Sequence, residues 1–367
     1  MHNISKIELS DLTLKDNWDY LSSNVSTHDS GQTFTWNKIW WDYYRNSISD
    51  KESFILIDKD NNGQVNAIWP FMIRERHGLR RIHWIGQVDG MITDYCGALL
   101  TKNSEKCAIA MLKYLSCNKS QWDVIDIFLP QWSDQYQLII SNLIVNEQQL
   151  RFNWQDQISD HSSYISLSKS FDDFLASLGK STRTNIRQYL RKIKNVESHF
   201  EILRGKDVLN GLPDLFRLNS ENWKVFHCQK ECLFHESVVN EIESCGGEFI
   251  MPRLTINGVI VAAILGYESG TTCYLHSAGI KREYIAGTSP GLTLHAFLIE
   301  DLIKRGFLRL DLSPGLEEYK IRLQSIIEPI YRLLIWHPLS RYRLFKLLEI
   351  IRFHLIFRSK PFHTETI

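Results

Sequence analysis

The chain has 367 residues, of which 44% are hydrophobic and 23% charged, and its 42 basic and 42 acidic residues give a net charge of zero. This composition excludes a wholly disordered chain, and the length predicts about two domains of ordinary size. The neutral balance argues against duplex nucleic acid as a partner, because such binding needs an excess of basic side chains.

The cysteines and the N-terminal segment bear on location. Seven cysteines without a regular spacing are typical of reduced thiols. Residues 1–14 contain Lys6, Glu8 and Asp11 but no apolar segment, so they do not have the pattern of a signal peptide. We therefore expect a cytoplasmic protein.

Two halves of the sequence repeat one order of elements. In the first half, two apolar runs enclose a turn at Asn61-Asn62-Gly63, which predicts a β-hairpin. In the second half, Asn257-Gly258 lies between two apolar runs in the same way. The elements predicted after the first hairpin are a strand at 84–86, a helix at 105–115 and a strand at 124–127. Those predicted after the second are a strand at 272–278, a helix after Pro290 and a strand at 308–312.

This repetition predicts an α/β fold with two units in tandem, each a mixed sheet flanked by helices. We place the first unit at residues 30–160 and the second at 165–340. An N-terminal extension, residues 1–29, precedes them, and a basic amphipathic tail, residues 341–367, follows.

A helix rich in aromatic residues precedes each hairpin, at 35–44 and at 212–226. Aromatic side chains are usually buried, so these helices are expected to pack on the sheets. Trp36 and Trp223 are the two aromatic residues that we also consider as walls of a pocket.

A basic helix is predicted at 182–194, where Arg183, Arg187 and Arg191 recur every four residues beside Lys180. One interpretation is a solvated face, which is the usual place for charge on a helix. The other is a binding surface for a phosphorylated substrate or carrier.

The C-terminal tail is basic and amphipathic. Residues 341–360 contain six Arg or Lys and one Glu among regularly spaced apolar residues. A helix of this kind can lie on an anionic membrane surface, and it can equally pack its apolar side on the protein. The sequence leaves both alternatives open.

The turn Ser289-Pro290-Gly291 and the following Leu292 predict the start of a helix that ends before Gly306. Serine is a good N-cap, proline suits the first helical position, and glycine leaves the backbone uncovered. Free N–H groups at such a terminus bind phosphate, so these four residues are candidates for an anion site.

The strand after this helix ends in a group of charged residues. Its alternation places Leu308, Leu310 and Leu312 on one face and Arg309, Asp311 and Ser313 on the other. The residues that follow the strand in one run are Asp311, Gly315, Glu317, Tyr319 and Lys320.

That run has the spacing D-x-x-x-G-x-E-x-Y-K and, with the Ser-Pro-Gly turn, resembles the C-terminal half of CelD-like proteins of the GNAT acyltransferase superfamily. One departure is Pro314, where such proteins often carry arginine. The resemblance extends from about Gln32 to Trp336, and its specific motifs lie in the last third of the chain.

The resemblance implies two tandem GNAT-like units and an N-acyltransferase. The donor would be acetyl-CoA or another acyl-CoA, held by residues 289–292. The acceptor would be an amine, such as an amino sugar of envelope or exopolysaccharide metabolism. No metal is expected, because no metal-binding motif occurs with the right spacing. Trp223, Asp94 and Tyr95 are candidates to bind the acceptor, together with the arginines of the basic helix.

Acyl transfer from a thioester to an amine needs a base, a group that stabilises the oxyanion and an acid for the leaving thiolate. Asp311 or Glu317 could be the base, Tyr319 the acid, and Lys320 the cation that keeps a carboxylate ionised. The alternative is that these four residues form a structural cluster of ion pairs.

Three alternative functions and one metal site can be compared with the sequence. Gly287–Gly291 matches G-x-S-x-G, but no buried strand precedes it, which argues against a serine hydrolase. The spacing of Cys228 and Cys232 argues against zinc. The tandem plan and the basic helix are also similar to those of Fem-type transferases, which would use aminoacyl-tRNA and act on peptidoglycan precursors. A non-catalytic scaffold of a polysaccharide-synthesis complex is the last alternative.

Overall fold

The computed structural model describes residues 3–25, 28–47, 51–87, 93–101, 104–222, 229–242, 246–281 and 284–348. They form the α/β fold with two repeated units that the sequence predicts. From here on, the first unit means β1 to β7 and the second unit means α6 to β13.

The elements of the first unit are β1 (Asn3–Ile7), α1 (Leu12–Asn24), α2 (Phe34–Tyr44), β2 (Lys51–Lys59), β3 (Val65–Arg76), β4 (Leu79–Trp84), β5 (Leu99–Leu100), α3 (Ser104–Cys117), β6 (Val124–Pro130), α4 (Gln135–Val145), α5 (Glu147–Leu150) and β7 (Asn153–Ser166). Those of the second unit are α6 (Phe171–Ser177), α7 (Lys180–Lys194), β8 (Ser198–Arg204), α8 (Leu212–Asn222), α9 (Gln229–Glu241), β9 (Gly247–Ile256), β10 (Val259–Ser269), β11 (Thr272–Ile280), α10 (Pro290–Lys304), β12 (Arg309–Pro314), α11 (Glu318–Arg322) and β13 (Ile326–Trp336). Residues 341–348 are also helical.

Local sequence explains the elements on which the site depends. Asn257 and Gly258 both have positive φ, at 48° and 73°, as a two-residue hairpin turn requires. The Ser289 side chain accepts a hydrogen bond from the Leu292 N–H, so α10 begins where the sequence predicts. The helix ends at Lys304, and Gly306 follows with φ of 80°.

The strands form one continuous mixed sheet among the described residues. Its order is β1-β2-β3-β4-β6-β13-β7-β12-β11-β10-β9-β8, with β5 beside β3. In each unit, antiparallel strands lead through a helix to a strand that is parallel to its neighbour: β4 with β6, and β11 with β12. The predicted fold class is therefore confirmed at the level of two repeated α/β units.

The last strands of the two units are exchanged. β7 of the first unit pairs with β12 of the second, while β13 of the second unit pairs with β6 of the first. β7 and β13 also pair with each other at the centre. Each unit therefore completes the sheet of the other.

The N-terminal residues take part in this sheet, since β1 pairs with β2 and Trp18 of α1 is buried. The domain boundaries given above stay predictions.

The helices form two layers. On one face α1, α2, α8 and α9 share a single core, in which Trp36 and Trp40 of the first unit join Phe216 and Phe234 of the second. On the other face each unit has its own core, formed by α3 and α4 in the first and by α6, α7 and α10 in the second. The predicted burial of the aromatic helices is confirmed for the described residues of α2 and α8. This shared core brings loops of the first unit against β11 and β12 of the second.

Candidate active site

β11 and β12 pair over three positions and then separate. The paired residues are Thr272–Tyr274 with Arg309–Asp311. Beyond them Ser313 has a φ of 67°, and the following proline has no N–H to donate, so β12 cannot continue the ladder. The gap that opens here, next to the N-terminus of α10, is called the second-unit notch below. The Ser313 hydroxyl donates to the Leu275 carbonyl at its closed end.

Lys320 fixes the turn that opens the notch. Its side chain is 2% exposed. Its ammonium donates to the carbonyls of Ser313, Pro314 and Gly315 at 2.9, 2.8 and 3.3 Å and lies 2.7 Å from Glu317 Oε2. An ammonium has three protons and no acceptor, so this cluster of oxygens satisfies it. Glu317 stays 56% exposed and faces solvent as well as the ammonium.

Asp311 is completely buried and holds the two units together. Its Oδ1 accepts from the Tyr95 hydroxyl at 2.8 Å and from the Ser313 N–H at 3.0 Å, and its Oδ2 accepts from Arg309 at 2.9 Å. Burial raises the pKa of Asp311, and the charge of Arg309 and the Tyr95 hydrogen bond oppose that rise. Both carboxylate oxygens are therefore already bonded within the protein.

A second contact between the units is made by His276 on β11. Its side chain, 4% exposed, lies between two carboxylates of the first unit: Nε2 is 3.1 Å from Asp29 and Nδ1 is 3.2 Å from Asp94. Trp36 stacks on the imidazole at 5.9 Å between ring centroids. Burial alone would lower the pKa of His276, but the Asp29 and Asp94 carboxylates raise it to about 10. His276 is therefore a buried cation, and Asp94, with 29% of its side chain exposed, is the part of this cluster that solvent reaches.

Tyr319 lies between these clusters and α10. Its ring packs on His295 at 5.1 Å between centroids. Burial raises the pKa of Tyr319, and the negative charges of Glu317, Asp94 and Asp311 raise it further. The phenol therefore stays protonated near neutral pH and can donate its proton.

His295 connects Tyr319 to the start of α10. Its Nδ1–H donates to the Gly291 carbonyl at 2.7 Å, which leaves Nε2 as an unprotonated acceptor. That Nε2 atom is buried and has no hydrogen-bond partner among the described residues. Burial lowers the pKa of His295, so the ring is neutral.

The N-terminus of α10 is packed on one side. A Cβ at Gly291 would lie 2.7 Å from Ile280 Cδ1, so the absence of a side chain there also lets β11 approach the helix. In the loop before the helix, the Lys192 ammonium of α7 donates to the carbonyls of Ala286 and Gly287 at 3.0 and 3.3 Å. A cation thus lies near the positive end of the helix, where an anion would be favoured.

The structure brings some of the predicted site residues together and leaves others apart. The residues that meet around the notch are Asp94, Tyr95, Asp311, Glu317, Tyr319, Lys320 and, through His295, Gly291. On α7, Arg187 and Arg191 are exposed, and Arg183 donates to the Ala176 carbonyl; none of their contacts that the structure gives reaches the notch. Trp223 lies outside the described residues. The roles of all these residues stay predictions.

Sequence reasoning missed the residues that join the notch to the first unit. His276 and Asp29 are separated by more than two hundred positions, and His276 looks like one polar residue within a strand. Arg309 was noted only for its face, although it binds Asp311. His295 was hidden in an apolar helix, where only its spacing of four residues from Gly291 hints at a bond to that carbonyl.

The corresponding gap in the first unit is closed. β4 and β6 pair at Arg81–Ile82 with Val124–Ile125 and then separate. The Gln87 side chain lies in this first-unit notch, where its Nε2 donates to the Asp126 carbonyl at 2.8 Å and its Oε1 accepts from the Phe128 N–H at 3.0 Å. The amide of Gln87 thus takes the place of a neighbouring strand.

Within the described residues, no group of three or more His, Cys, Asp or Glu side chains is placed to hold a metal ion. The side chains around the second-unit notch include carboxylates, a phenol, a neutral imidazole and a buried ammonium.

Comparison with known proteins agrees with this geometry. Residues 180–321, from the start of α7 to α11, match the family model described as an acetyltransferase (GNAT) domain. This match covers the second-unit notch and supports the resemblance seen in the sequence at the level of a GNAT acyltransferase domain. No curated protein matches the chain significantly.

Solved structures extend the likeness to the whole chain. FemX has a TM-score of 0.61 at 10% identity, over 95% of this chain and 100% of that one. L-PGS from Bacillus licheniformis has 0.53 at 11%, over 96% and 98%. A conserved protein of unknown function from Bacteroides thetaiotaomicron has 0.52 at 11%, over 92% and 100%. At these identities the likeness establishes the fold alone: two tandem GNAT-like units.

Proposed function

We propose that the protein is an acyltransferase that moves an acyl group from a thioester donor, acetyl-CoA or another acyl-CoA, to an amine. The observation that carries the proposal is the second-unit notch, which is open beside the N-terminus of α10 and lies within the GNAT match. The donor would lie along this gap, with its phosphates at residues 289–292.

The side chains around the notch supply the groups that this reaction needs. Glu317 is the reachable base, because it is 56% exposed while both oxygens of Asp311 are bonded. It takes a proton from the acceptor ammonium, and the free amine attacks the thioester carbonyl. As the C–N bond forms and the C–S bond breaks, Tyr319 donates its proton to the departing thiolate, and the second proton that the nitrogen loses on becoming an amide returns to the phenolate. Asp311 and Lys320 position the turn rather than touch the reacting atoms.

The acceptor would approach from the first unit. Asp94 is partly exposed, lies 3.2 Å from His276 Nδ1 and would bind a cationic amine before it is deprotonated. Tyr95 is buried and fixes the neighbouring backbone through Asp311. The CelD-like resemblance implies an amino sugar of envelope or exopolysaccharide metabolism as the acceptor. Such a sugar would supply the charged amine that Asp94 would bind.

A second candidate donor is aminoacyl-tRNA, with a peptidoglycan precursor as the acceptor. The exposed Arg187 and Arg191 on α7 favour it, since they present positive charge that the protein leaves in contact with solvent. Such an interaction would weaken steeply with salt. A scaffold without turnover is the remaining alternative.

Isothermal titration calorimetry with acetyl-CoA, and then with longer acyl-CoAs, tests the proposal on the full chain. We expect one molecule per chain. In Ser289→Asn and Ser289→Asp both new side chains can cap α10, but only the second adds a negative charge near the donor phosphates. The Asp variant should bind about tenfold more weakly than the Asn variant, and the difference should shrink with salt.

Equal affinities for the two Ser289 variants would remove α10 from the donor site. If no acyl-CoA binds, but aminoacyl-tRNA does so in a salt-dependent manner that Arg187→Gln/Arg191→Gln abolishes, the second donor replaces the first.

A further inference from the structure

The helix at 341–348 has two apolar sides, and only one of them packs on the protein. Tyr342 is buried, and with Phe345 it joins a small core that contains Leu334 and Trp336. The Arg341 guanidinium strengthens this docking with two contacts to Asp123, at 3.2 and 2.9 Å. The side of the helix that faces the protein is therefore already packed against apolar side chains and paired with Asp123.

The other side consists of leucines in contact with solvent, which we call the C-terminal leucine face. Its members and their exposed fractions are Leu339 at 85%, Leu344 at 64%, Leu347 at 54% and Leu348 at 64%. An open groove of about 540 Å³ runs along it, and Arg341, Arg343 and Lys346 line the same groove. Residues 338–348 contain no Asp or Glu.

Exposed leucines beside cations are what an anionic bilayer surface accommodates. The leucines can enter the boundary between headgroups and acyl chains, while the cations meet lipid phosphates. Arg341 is neutralised in part by Asp123, whereas Arg343 donates to the Pro338 carbonyl and Lys346 donates to the neutral Gln155 and lies 4.5 Å from the Trp336 ring centroid. None of these contacts of Arg343 and Lys346 is with a carboxylate.

We propose that the C-terminal leucine face is a peripheral membrane-binding surface for anionic lipid. No helix among the described residues is long and apolar enough to cross a bilayer.

This surface is remote from the second-unit notch. β13 has 11 residues and begins beside the notch, while the helix follows its other end, so the two are separated by about 33 Å at roughly 3.3 Å per residue. Lipid binding would therefore leave the notch open, and variants of the face should not alter donor binding.

The test measures the partition of the full chain onto vesicles of phosphatidylglycerol with phosphatidylcholine, and onto phosphatidylcholine alone. We expect binding to the anionic vesicles. Leu344→Ser/Leu348→Ser should lower the partition coefficient about tenfold or more at low and at high salt. Arg343→Gln/Lys346→Gln should lower it about fivefold per charge at low salt, and less at high salt.

The matched control is Ile144→Ser/Val145→Ser on α4, which removes two apolar side chains that are 59% and 81% exposed with no basic residue on the same helix. It should bind like the wild type. Absence of binding to anionic vesicles, or an equal loss in the control, overturns the proposal. The proposal is also overturned if the leucine variant keeps vesicle binding but melts at a lower temperature. The leucines would then be packed within the protein instead of available to lipid. A dimer, detected by light scattering, that only the leucine variant abolishes would assign the face to a second copy.

Discussion

The two units have the same order of strands and helices but treat the gap between their parallel strands in opposite ways. In the first unit Gln87 bridges the gap with two hydrogen bonds to β6. In the second unit β12 is turned away by Ser313 and held open by Lys320, with one hydroxyl reaching across at the closed end. The repeated fold thus contains one gap that an internal amide fills and one gap in which the pairing of β11 with β12 ends after three positions.

Hydrogen-bond energetics explain this difference. Leaving strand amides and carbonyls unpaired inside a protein costs about 1–3 kcal/mol per group. The first unit avoids that cost with an internal amide. Under the proposed function, the amides of a bound donor would pair with backbone groups of the second-unit notch instead.

The largest effect is expected from the proposed base, Glu317. The first unit has no equivalent of this residue, because no lysine or glutamate follows Pro130 within ten residues. Glu317→Gln should lower kcat by roughly 10²- to 10⁴-fold with donor affinity unchanged. Asp311→Asn should lower kcat less and the melting temperature more, since Asp311 is a buried anchor. Single-turnover assays on folded variants decide the matter: the reverse order would make Asp311 the base.

Lys320→Met should release the turn that holds the second-unit notch open, so that the two notches become more alike. Removal of one member of a buried charged cluster costs roughly 3–5 kcal/mol, so we expect a loss of unfolding free energy in that range. Donor affinity should fall as well. Lys304→Met, on a side chain that is 68% exposed, is the control and should change little. A Lys320 variant as stable as that control would show that the turn keeps its conformation without the ammonium.

Gln87→Ala should open the first-unit notch without making it a donor site. We expect a loss of about 1–3 kcal/mol in the free energy of unfolding, because the Phe128 N–H is left without a partner while the Asp126 carbonyl keeps its bond from His83 Nδ1 at 2.8 Å. Acyl-CoA should still bind once per chain. Gln64→Ala, on an exposed turn, serves as the control. A second molecule bound to the Gln87 variant would mean that the side chain blocks a latent site.

The contact between the units should depend on pH through His276. Its pKa is raised from 6.5 to about 10 in the folded protein, so its stabilising contribution is complete below pH 6.5 and is lost as the pH rises towards 10. One proton gives a slope of up to about 1.4 kcal/mol per pH unit in that window. His276→Gln should therefore be less stable than wild type at low pH, and the difference should narrow as the pH rises. A constant difference in urea denaturation across the window would falsify the charge assignment.

Much of the fold could be predicted because its signals are local. The Asn257-Gly258 turn, the Ser289 cap and the glycine after α10 act on their immediate neighbours, so one sequence was enough to place the second hairpin and α10. The repetition of the pattern then gave the two units. No local signal specifies pairing between strands that are distant in sequence. The exchange of β7 and β13 could therefore not be predicted.

The candidate site was predictable only in its second-unit half. Glu317 and Lys320 are three residues apart and meet at 2.7 Å, as the run of charges suggested. The environment of Asp311 was not predictable, because strand alternation gives a face and cannot say whether that face is covered. Here Tyr95, from 216 positions away, covers it. The histidine between Asp29 and Asp94 depends in the same way on the packing of one unit against the other.

The exchange of strands also constrains the order in which the chain can fold as it is made. In the finished protein Pro130 of β6 pairs with Ile330 of β13, so one edge of the early strands has no partner until synthesis is nearly complete. Chains emerge from the ribosome N-terminus first, and unpaired strand edges invite association with other chains. The nascent first half is therefore expected to need protection while the second is translated. A product that stops after β7 would be a substrate for chaperones and proteases rather than a smaller folded protein.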